Sequence, residues 1–528
     1  MSTSILKMFI RSNNDFFSKN SIAIRGKRQG KILVDIQTTD IFTVSTVMKI
    51  ASAVSDVLNR EMIVISAIKA RGALVRLIKS YDPSNVINAK HLISHGFLFN
   101  MIRVLKLVMN VRTGDDLVSL VIQDMPVGIH IYDSILIRMG LSSVKKLSLR
   151  QRFYILMEVS FFYSILAYIN RHNISYVILP DNAYRQGVVS EILKSKAIPS
   201  ISGIDINGIS MHKYESAEDY LKHCRAPDTD IVYKISNTPE LYLNAENYLL
   251  FRTLGQEQQH DTMRAYSKDK MEINRPGLIS TYKLHPGKKI ILIMAHIFCD
   301  APHAYPKMLF KDYEDWLIKT CFRLANNTQV NFLVKEHPSA ALYSEEGKID
   351  RMLIEQGFGD KLLSKDVNTK SLFNSVDAIV TCGGTAGMEF PCYGVPVLVA
   401  AKPSYDSFSY IVSPDTETAY YSELDKMNEN EKLSDNDIKL AKSVLYTIHS
   451  VIKIEKDKIG LGSQQYIMGG QFDIDLFMEE MIADCADGKG YSAMISEIGL
   501  FLLGKHKNLI DHSKLSKNVS DKNAVLHR

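Results

Sequence analysis

Four short apolar runs between residues 288 and 401 constrain the fold of this chain more than any other feature. Each run has the length of a β-strand and is almost continuously apolar, which is typical of strands buried in a parallel sheet. The runs are residues 289–295, 330–335, 376–381 and 395–400. Between the first two, residues 312–327 place Trp316, Leu317 and Leu324 on one helical face. Strands that alternate with helices predict an α/β domain with a doubly wound parallel sheet.

Polar clusters follow the first two runs, at the carboxyl ends of strands, where open parallel sheets bind their ligands. His296, Asp300 and His303 follow the first run and could furnish a proton donor, a carboxylate and a phosphate partner. His337 follows the second run, and Pro338 fixes the backbone after it, so the imidazole is placed to reach a phosphate or a nucleotide. The two clusters predict a binding site for a phosphorylated ligand.

A glycine-rich turn follows the third run. Gly383 and Gly384 lack side chains, so a diphosphate can approach their backbone, and the helix after Thr385 offers free N–H groups and a positive dipole end. Glu389 lies one helical turn beyond Thr385, where its carboxylate is placed to accept hydrogen bonds from ribose hydroxyls. Pro391 should kink this helix or end it early. The turn and Glu389 therefore read as half of a nucleotide-sugar site.

Each of these features also has a simpler structural interpretation. The glycine-rich turn can serve only as a tight turn and helix cap, and His337 can be a hydrogen-bonded core histidine. One of the two histidines of the first cluster can merely bond the backbone, and Asp300 can cap a helix. Asp133 and Asp181 follow predicted strands, where an aspartate is common loop chemistry.

The amino-terminal half shows the same alternation of strands and helices. The predicted strands are residues 31–36, 62–66, 127–134 and 175–180, of which the third is a strand or a passage from a strand into a loop. The first two enclose a helix at residues 41–59 and form a βαβ opening. The fourth ends at Asp181 and is followed by a helix at Tyr184–Lys196.

The length of 528 residues exceeds what one hydrophobic core usually accommodates. Arg275-Pro276-Gly277 breaks the helical pattern and is the predicted linker. The expected units are an amino-terminal domain at residues 1–275, a carboxyl-terminal domain at 286–430, and helices with a basic tail at 431–528. Some of these last helices are expected to pack back on the amino-terminal domain.

Composition indicates a globular cytoplasmic enzyme. The net charge of +5 is too small to imply nucleic acid, and the six cysteines lack metal-ligand spacing and are expected to be reduced. The first 29 residues lack a signal-peptide pattern. The longest apolar stretch, residues 154–169, contains Glu158 and suits a buried helix better than a membrane span. The basic chain ends are compatible with peripheral contact at the inner face of the cytoplasmic membrane.

Several of these motifs resemble a known group of proteins. Lys335-Glu336-His337-Pro338-Ser339 and residues 383–389 and 394–396 are similar to the carboxyl-terminal domain of GT-B glycosyltransferases that build bacterial capsule and lipopolysaccharide chains. Residues 296–316 and 128–134 are similar to surface polysaccharide biosynthesis proteins. A His-Pro pair of this kind also occurs in sialyltransferases and Kdo transferases, which use CMP-linked donors, and in polyol phosphate polymerases, which use CDP-linked ones.

The resemblance implies two Rossmann-like domains that face each other across a cleft, with helical additions, and transfer of a sugar from a nucleotide-activated donor to a glycan or lipid-linked acceptor. A CMP-linked acidic sugar is the favoured donor, and neither a metal nor a cofactor is expected. The implied donor-binding residues are Lys335, His337, Pro338, Gly383, Gly384, Thr385 and Glu389. The candidate catalytic residues are Asp300, His303, His296, Asp181 and Asp133.

Three alternatives to sugar transfer stay open at this point. A CDP-polyol phosphotransferase shares the fold and the histidine but transfers a phosphate-containing unit. A nucleotide-sugar epimerase of the same fold needs no acceptor. A polysaccharide assembly subunit would keep the fold without turnover.

Overall fold

A computed structural model describes residues 3–22, 30–205, 208–257, 259–463 and 472–516. The amino-terminal domain contains a six-stranded sheet whose strands are β1 Lys31–Ile36, β2 Glu61–Ser66, β3 Asn85–Asn88, β4 Ile174–Ile178, β5 Ser200–Ser202 and β6 His212–Tyr214. The order across the sheet is β3-β2-β1-β4-β5-β6, and β6 is antiparallel to β5 while the other pairs are parallel.

The carboxyl-terminal domain contains a second six-stranded sheet, which is parallel throughout. Its strands are β7 Lys289–Met294, β8 Val330–Lys335, β9 Leu362–Leu363, β10 Ala378–Thr381, β11 Val397–Val399 and β12 Ile411–Val412. The order β12-β11-β10-β7-β8-β9 repeats that of the first sheet. Two such sheets confirm the predicted α/β architecture of two Rossmann-like domains.

Helices cover both faces of the two sheets. The amino-terminal domain holds α1 Thr3–Ile22, α2 Ile41–Leu58, α3 Ala73–Lys79, α4 Ala89–Asn110, α5 Gly114–Val118, α6 Val127–Met139, α7 Leu149–His172 and α8 Tyr184–Lys196. The rest are α9 Thr229–Asn237, α10 Pro239–Thr253, α11 His260–Ala265, α12 Arg275–Thr281, α13 Tyr313–Asn326, α14 Lys348–Glu355, α15 Thr369–Leu372, α16 Ala386–Glu389, α17 Glu417–Asp425, α18 Asp435–Tyr446, α19 Ile474–Asp487 and α20 Lys489–Leu503.

The strands are continuously apolar because each face of each sheet is buried. On β7, Ile290 and Leu292 pack into one core, whereas Ile291 and Ile293 pack into another on the opposite face. Strand β1 divides its side chains between two cores in the same alternating way. A parallel sheet covered on both faces places its ligand sites at the carboxyl ends of the strands.

The last helices, α19 and α20, pack on the amino-terminal domain, where Met481 and Met494 share a core with Met48 of α2. The buried Lys49 ammonium on α2 donates hydrogen bonds to the Asp484 carboxylate and to the Gly460 carbonyl. After the carboxyl-terminal domain, the chain therefore returns and packs on the amino-terminal domain.

The predicted strand at residues 127–134 is wrong, because these residues begin α6. The alternating isoleucines suggested a strand. In the structure, His130, Ile131 and Tyr132 are all buried although they are consecutive, because neighbouring elements enclose the helix on most sides. Gly128 allows the close contact, since a Cβ there would lie 1.9 Å from the Leu117 carbonyl oxygen.

The predicted domain boundary at residue 275 is too late. Val232, Leu249 and Leu278 already pack in the core under the carboxyl-terminal sheet. Arg275-Pro276-Gly277 is the first turn of α12, capped by the Asn274 side chain, so the proline marks a helix start and does not mark a linker.

The basic tail is bonded to the amino-terminal domain over the part that the structure describes. The backbone of Lys507 and Leu509 bonds to Lys213 and Met211, beside β6. Residues 517–528 of the predicted tail lie outside the described residues.

Among the described residues, three helices are long and apolar enough to span a bilayer by length and composition, which the sequence prediction did not anticipate. In α2 and α7 the apolar windows are 72% and 61% buried within the protein, so both are core helices. The window of α4 is only 22% buried.

Candidate active site in the interdomain cleft

The carboxyl ends of β7 and β10 meet those of β4 in a cleft between the domains. A cavity of about 490 Å³ at this place is lined by seven of the residues predicted from the sequence. They are Asp181, His296, Asp300, His337, Gly383, Gly384 and Thr385. A second cavity, of about 530 Å³, adjoins it on the amino-terminal side and is lined by His303. Tyr305 lines both cavities, so the two form neighbouring compartments of one cleft.

Asp133 and His303 form a hydrogen-bonded pair across the domain boundary. Asp133 is fully buried on α6, and its carboxylate accepts a bond from His303 Nδ1 at 2.7 Å and another from the His303 backbone N–H at 3.0 Å. A carboxylate on Nδ1 holds the imidazole in the tautomer whose Nε2 can accept a proton. Nε2 makes no hydrogen bond within the described chain, which leaves it open to the 530 Å³ cavity. The pair has the arrangement of a general base and its positioning carboxylate.

The same turn of α6 also bonds the residue before α13. The Tyr132 hydroxyl donates to the Asp312 carboxylate at 2.5 Å, and Ser143 donates to the same oxygen at 2.6 Å. Asp312 in turn caps α13 by accepting from the Asp315 N–H. Tyr132 and Asp133, two consecutive residues of α6, therefore each bond a residue of the carboxyl-terminal domain.

Asp300 lies in the 490 Å³ cavity, and Tyr184 of the amino-terminal domain donates a hydrogen bond to it at 2.8 Å. Burial raises the pKa of Asp300 above its ordinary value, and the nearby Asp181 and Asp133 carboxylates raise it further, whereas the bond from Tyr184 lowers it. A carboxylate with a raised pKa is a better base than an ordinary one. The described structure therefore offers Asp300 as a second acid–base group.

His296 is held by the backbone of the glycine-rich turn. Its Nε2 accepts from the Cys382 N–H at 3.2 Å, and its ring stacks on Tyr313 with centroids 4.4 Å apart. Burial, with a smaller contribution from His337, lowers the pKa of His296 to about 3. A pKa this low keeps the ring neutral at physiological pH, and His296 lines the cavity in that form. Its catalytic role stays a prediction.

The glycine-rich turn is fitted closely to aromatic side chains. A Cβ at Gly383 would lie 2.8 Å from the Tyr305 ring, and one at Gly384 would lie 3.3 Å from His296. The N–H groups of Gly383 and Thr385 donate to no acceptor in the described part of the chain and line the cavity. As Pro391 predicts, the α-helix that follows is one turn long and continues as a 3₁₀ turn. Its dipole is therefore weaker than the sequence suggested.

Two predicted donor-binding residues have other partners. The Glu389 carboxylate is buried and accepts from Arg252 Nε at 2.7 Å, so the predicted ribose contact would have to compete with this ion pair. Lys335 donates from Nζ to the Val367 carbonyl at 2.9 Å and faces a separate cavity of about 370 Å³. Burial, followed by repulsion from Lys270, lowers the pKa of Lys335 to about 7.

The His-Pro pair lies between two cavities. His337 Nδ1 accepts from the Ser339 N–H at 3.2 Å, and its ring lines both the 490 Å³ cavity and the 370 Å³ cavity. Pro338 lines the smaller one. Asp181 is exposed at the cleft and accepts from the N–H groups of Asn182 and Ala183, so one of its oxygens serves its own loop.

Sequence reasoning missed Arg225, a cation that lines the cleft. Its side chain is 42% exposed, lies 3.8 Å from Asp205, and borders both the 490 Å³ cavity and a further cavity of about 810 Å³. His223, two residues earlier, stacks on Tyr305. The segment before Arg225 forms only a 3₁₀ turn, at Asp219–Leu221, and the residue after Ala226 is a proline.

Within the described residues, no group of three His, Cys, Asp or Glu side chains has the geometry to hold a metal ion. The predicted independence from metal stays a prediction.

A comparison with known protein families finds a match to part of the chain. Residues 311–446 match the family model described as "Capsule polysaccharide biosynthesis protein", which confirms the predicted relationship of this region to surface polysaccharide biosynthesis proteins. No curated protein matches the chain.

Solved structures resemble the chain only at low similarity. The beta Kdo 2,4 transferase KpsC of Thermosulfurimonas dismutans is 14% identical over 51% of this chain and 79% of its own, with a TM-score of 0.29. An O-GlcNAc transferase mutant of Thermobaculum terrenum is 11% identical over 89% and 69%, with a TM-score of 0.27. UDP-GlcNAc 2-epimerase of Neisseria meningitidis is 11% identical over 79% and 99%, with a TM-score of 0.21. Scores this low carry no argument about function.

Proposed function

We propose that this protein is a glycosyltransferase of capsule or related surface polysaccharide synthesis, in which His303, oriented by Asp133, is the general base. The observation that carries this proposal is the pair of hydrogen bonds between Asp133 and His303, which leaves Nε2 of the histidine at a cavity beside the predicted donor turn. A base with a fixed tautomer is what activation of a sugar hydroxyl requires.

In the proposed reaction, an acceptor hydroxyl in the 530 Å³ cavity attacks the anomeric carbon of a donor in the 490 Å³ cavity. The hydroxyl proton passes to His303 Nε2. The bond between the anomeric carbon and the phosphate oxygen breaks, and the nucleotide leaves with the electron pair. A single displacement of this kind inverts the anomeric configuration.

The leaving phosphate is stabilised by groups that face it before reaction. Arg225 supplies a positive charge at the cavity, and Gly383 and Thr385 supply N–H groups whose hydrogens are otherwise unused within the described chain. Groups fixed in advance stabilise developing charge more strongly than water does, because they need no reorganisation. His337 lies at the same cavity and is assigned to the nucleotide.

The proposed donor is a CMP-linked acidic sugar. The support for it is the His337-Pro338 pair within the region that matches the capsule family model, together with a cation, Arg225, that can meet a sugar carboxylate as well as a phosphate. The proposed acceptor is a glycan or a lipid-linked glycan. The 530 Å³ cavity beside His303 provides room for that acceptor, and a nucleotide-sugar epimerase would not need such a compartment.

The experiment is a measurement of nucleotide release from CMP-, CDP-, UDP- and GDP-linked donors by the purified protein, with and without an oligosaccharide acceptor. The proposal expects release from one sugar-linked donor that increases with acceptor and falls in His303→Ala. Release of CMP from a CDP-linked polyol would instead support the phosphotransferase. Conversion of the donor to an epimer without an acceptor would support the epimerase. No turnover of any donor by the folded protein would support the assembly subunit.

A further inference from the structure

Helix α4 exposes an apolar stripe to solvent. Ile102, Leu105 and Met109 follow one another at spacings of three and four residues, so they lie on one face of the helix, and all three are exposed. Leu98, which lies before the kink at Asn100, is also exposed. Phe99 stands beside them, 74% exposed. In the part of the chain that the structure describes, this is the longest such row among its exposed large apolar side chains.

The apolar surface continues onto the start of α7. Arg152 donates to the Val108 carbonyl at 3.2 Å, which brings this end of α7 beside the end of α4. Here Leu149 is 86% exposed and Phe153 is 62% exposed. We call the exposed side chains of Leu98, Phe99, Ile102, Met109, Leu149 and Phe153 the α4 surface.

The opposite face of α4 is fixed to the protein. Leu92, Val104 and Val108 are buried against α7, and a Cβ at Gly96 would lie 1.8 Å from the Ser160 carbonyl oxygen. Such close packing holds α4 along the protein, so it presents one side and does not leave the domain to cross a bilayer. The helix is kinked at Asn100, whose side chain donates to the Gly96 carbonyl at 3.1 Å.

The two segments that carry the α4 surface have charges of one sign. The sequence has no aspartate or glutamate from residue 83 to 114 or from 134 to 157. The same segments carry exposed cations, namely Arg103, Lys106, Arg112, Lys145, Lys146 and Arg150. The nearest acidic groups are engaged, since Asp116 accepts from the backbone at residues 112 and 113, and Asp115 lies 3.6 Å from Lys311. This local bias contrasts with the nearly balanced whole chain, which has 63 basic and 58 acidic residues.

We propose that the α4 surface docks the protein on an anionic lipid bilayer, with α4 lying in the plane of the interface. An apolar stripe on segments that carry cations and no carboxylates is the pattern of an interfacial helix, because acyl chains accept the stripe while anionic headgroups attract the cations. A second copy of the chain is the less favourable occupant, since the cations of two α4 surfaces would face each other.

The docking site is connected to the cleft. After Arg112 the chain enters α5, whose Asp115 and Val118 line the 530 Å³ cavity beside His303. A protein docked through α4 therefore holds this cavity close to the headgroups. If the proposed sugar transfer is correct, the acceptor in that cavity is attached to a lipid of the same membrane.

The test is co-sedimentation of the full chain with vesicles of phosphatidylcholine alone or of three parts phosphatidylcholine and one part phosphatidylglycerol. The wild type is expected to bind the anionic vesicles and not the neutral ones. Phe99→Ser with Ile102→Ser should weaken binding at least ten-fold. Arg103→Glu with Lys106→Glu should weaken it further, since each removed cation near anionic lipid costs about five-fold in affinity.

Matched controls are Leu500→Ser with Leu503→Ser, which removes exposed apolar groups from α20, and Lys196→Glu with Lys432→Glu, which reverses exposed cations elsewhere. Wild-type protein that stays in the supernatant, or control variants that lose as much binding as the α4 variants, would overturn the proposal. So would light scattering that shows a dimer in the wild type and a monomer in Phe99→Ser with Ile102→Ser. Nucleotide binding by the same variants, which should not change, separates this outcome from a failure of the proposed reaction.

Discussion

Asp133 accepts both the side-chain and the backbone hydrogen of His303, although the two residues lie 170 positions apart and in different domains. Because the two residues belong to different domains, these bonds can form only while the domains are closed on each other. If the domains separated, His303 would lose the group that fixes its tautomer.

Replacement of Asp133 by Asn should therefore lower the rate of sugar transfer by roughly 10²- to 10⁴-fold, as expected when a positioned base is lost. An amide can accept one of the two bonds but offers N–H toward the other, so the imidazole turns or changes tautomer. Nucleotide affinity should change little. The measurement is initial rate together with calorimetric nucleotide binding, and Asp360→Asn, at an exposed aspartate outside the cleft, is the comparison. Transfer within two-fold of wild type in Asp133→Asn would contradict the role of the pair.

Tyr184→Phe should shift the acid limb of the pH–rate profile to higher pH. The Tyr184 hydroxyl lowers the pKa of Asp300, which burial and the neighbouring carboxylates raise. Without the hydroxyl this pKa rises further, so Asp300 becomes protonated, and inactive as a base or charged partner, at a higher pH than in wild type. Tyr233→Phe, at an exposed tyrosine, is the control. An unchanged profile would mean that the ionisation of Asp300 does not limit the reaction.

Asp35→Asn should stabilise the protein more at alkaline than at acidic pH. Burial raises the pKa of Asp35 from 3.8 to about 7, and one of its oxygens has no hydrogen-bond partner within the described chain. A raised folded-state pKa adds stability below pH 4 that is lost as the pH rises to 7. The variant should gain roughly 3 kcal/mol more over wild type at pH 8 than at pH 5. Urea unfolding at both pH values measures the difference, and equal gains at both would refute it.

Arg225→Ala should weaken nucleotide binding by roughly ten- to a hundred-fold, the usual loss when a hydrogen bond to a charged group is removed. Arg225→Lys should recover part of the affinity, because the charge returns without the planar donor fork. Isothermal calorimetry with the nucleotide that the wild type prefers measures both. Arg351→Ala, at an exposed arginine outside the cleft, should bind normally. An unaltered affinity in Arg225→Ala would exclude this side chain from the phosphate site.

The parts of this structure that the sequence predicts are those governed by local pattern. Strand β8 has the predicted limits, since a strand buried on both faces leaves a continuous apolar run between polar ends. The same pattern predicted that His296 and Gly384 lie at one sheet edge. In the structure a Cβ at Gly384 would lie 3.3 Å from His296. The alternating pattern gave a wrong prediction at α6, because a helix that is buried on most sides has no polar stripe from which its period can be recognised.

The partners of the site residues depend on distant parts of the chain. Glu389 is paired with Arg252, 137 positions away, in a helix that packs under the carboxyl-terminal sheet. Nothing near Glu389 in sequence distinguishes this ion pair from an open ribose contact. The partner of Asp133 was hidden for the same reason, since its place in the sequence suggested a catalytic carboxylate, while the fold pairs it with His303, for which we propose it as a positioning residue.

The most direct test of the central claim is thermal unfolding of the protein with CMP, CDP, UDP or GDP, compared with His337→Ala and Arg225→Ala. A nucleotide at about a hundred times its dissociation constant should stabilise the folded state by roughly 2.7 kcal/mol and raise the Tm by several degrees. We predict this shift for one base, CMP, and a smaller shift in both variants. If none of the four nucleotides raises the Tm of the wild type, the cleft is not a nucleotide-sugar site.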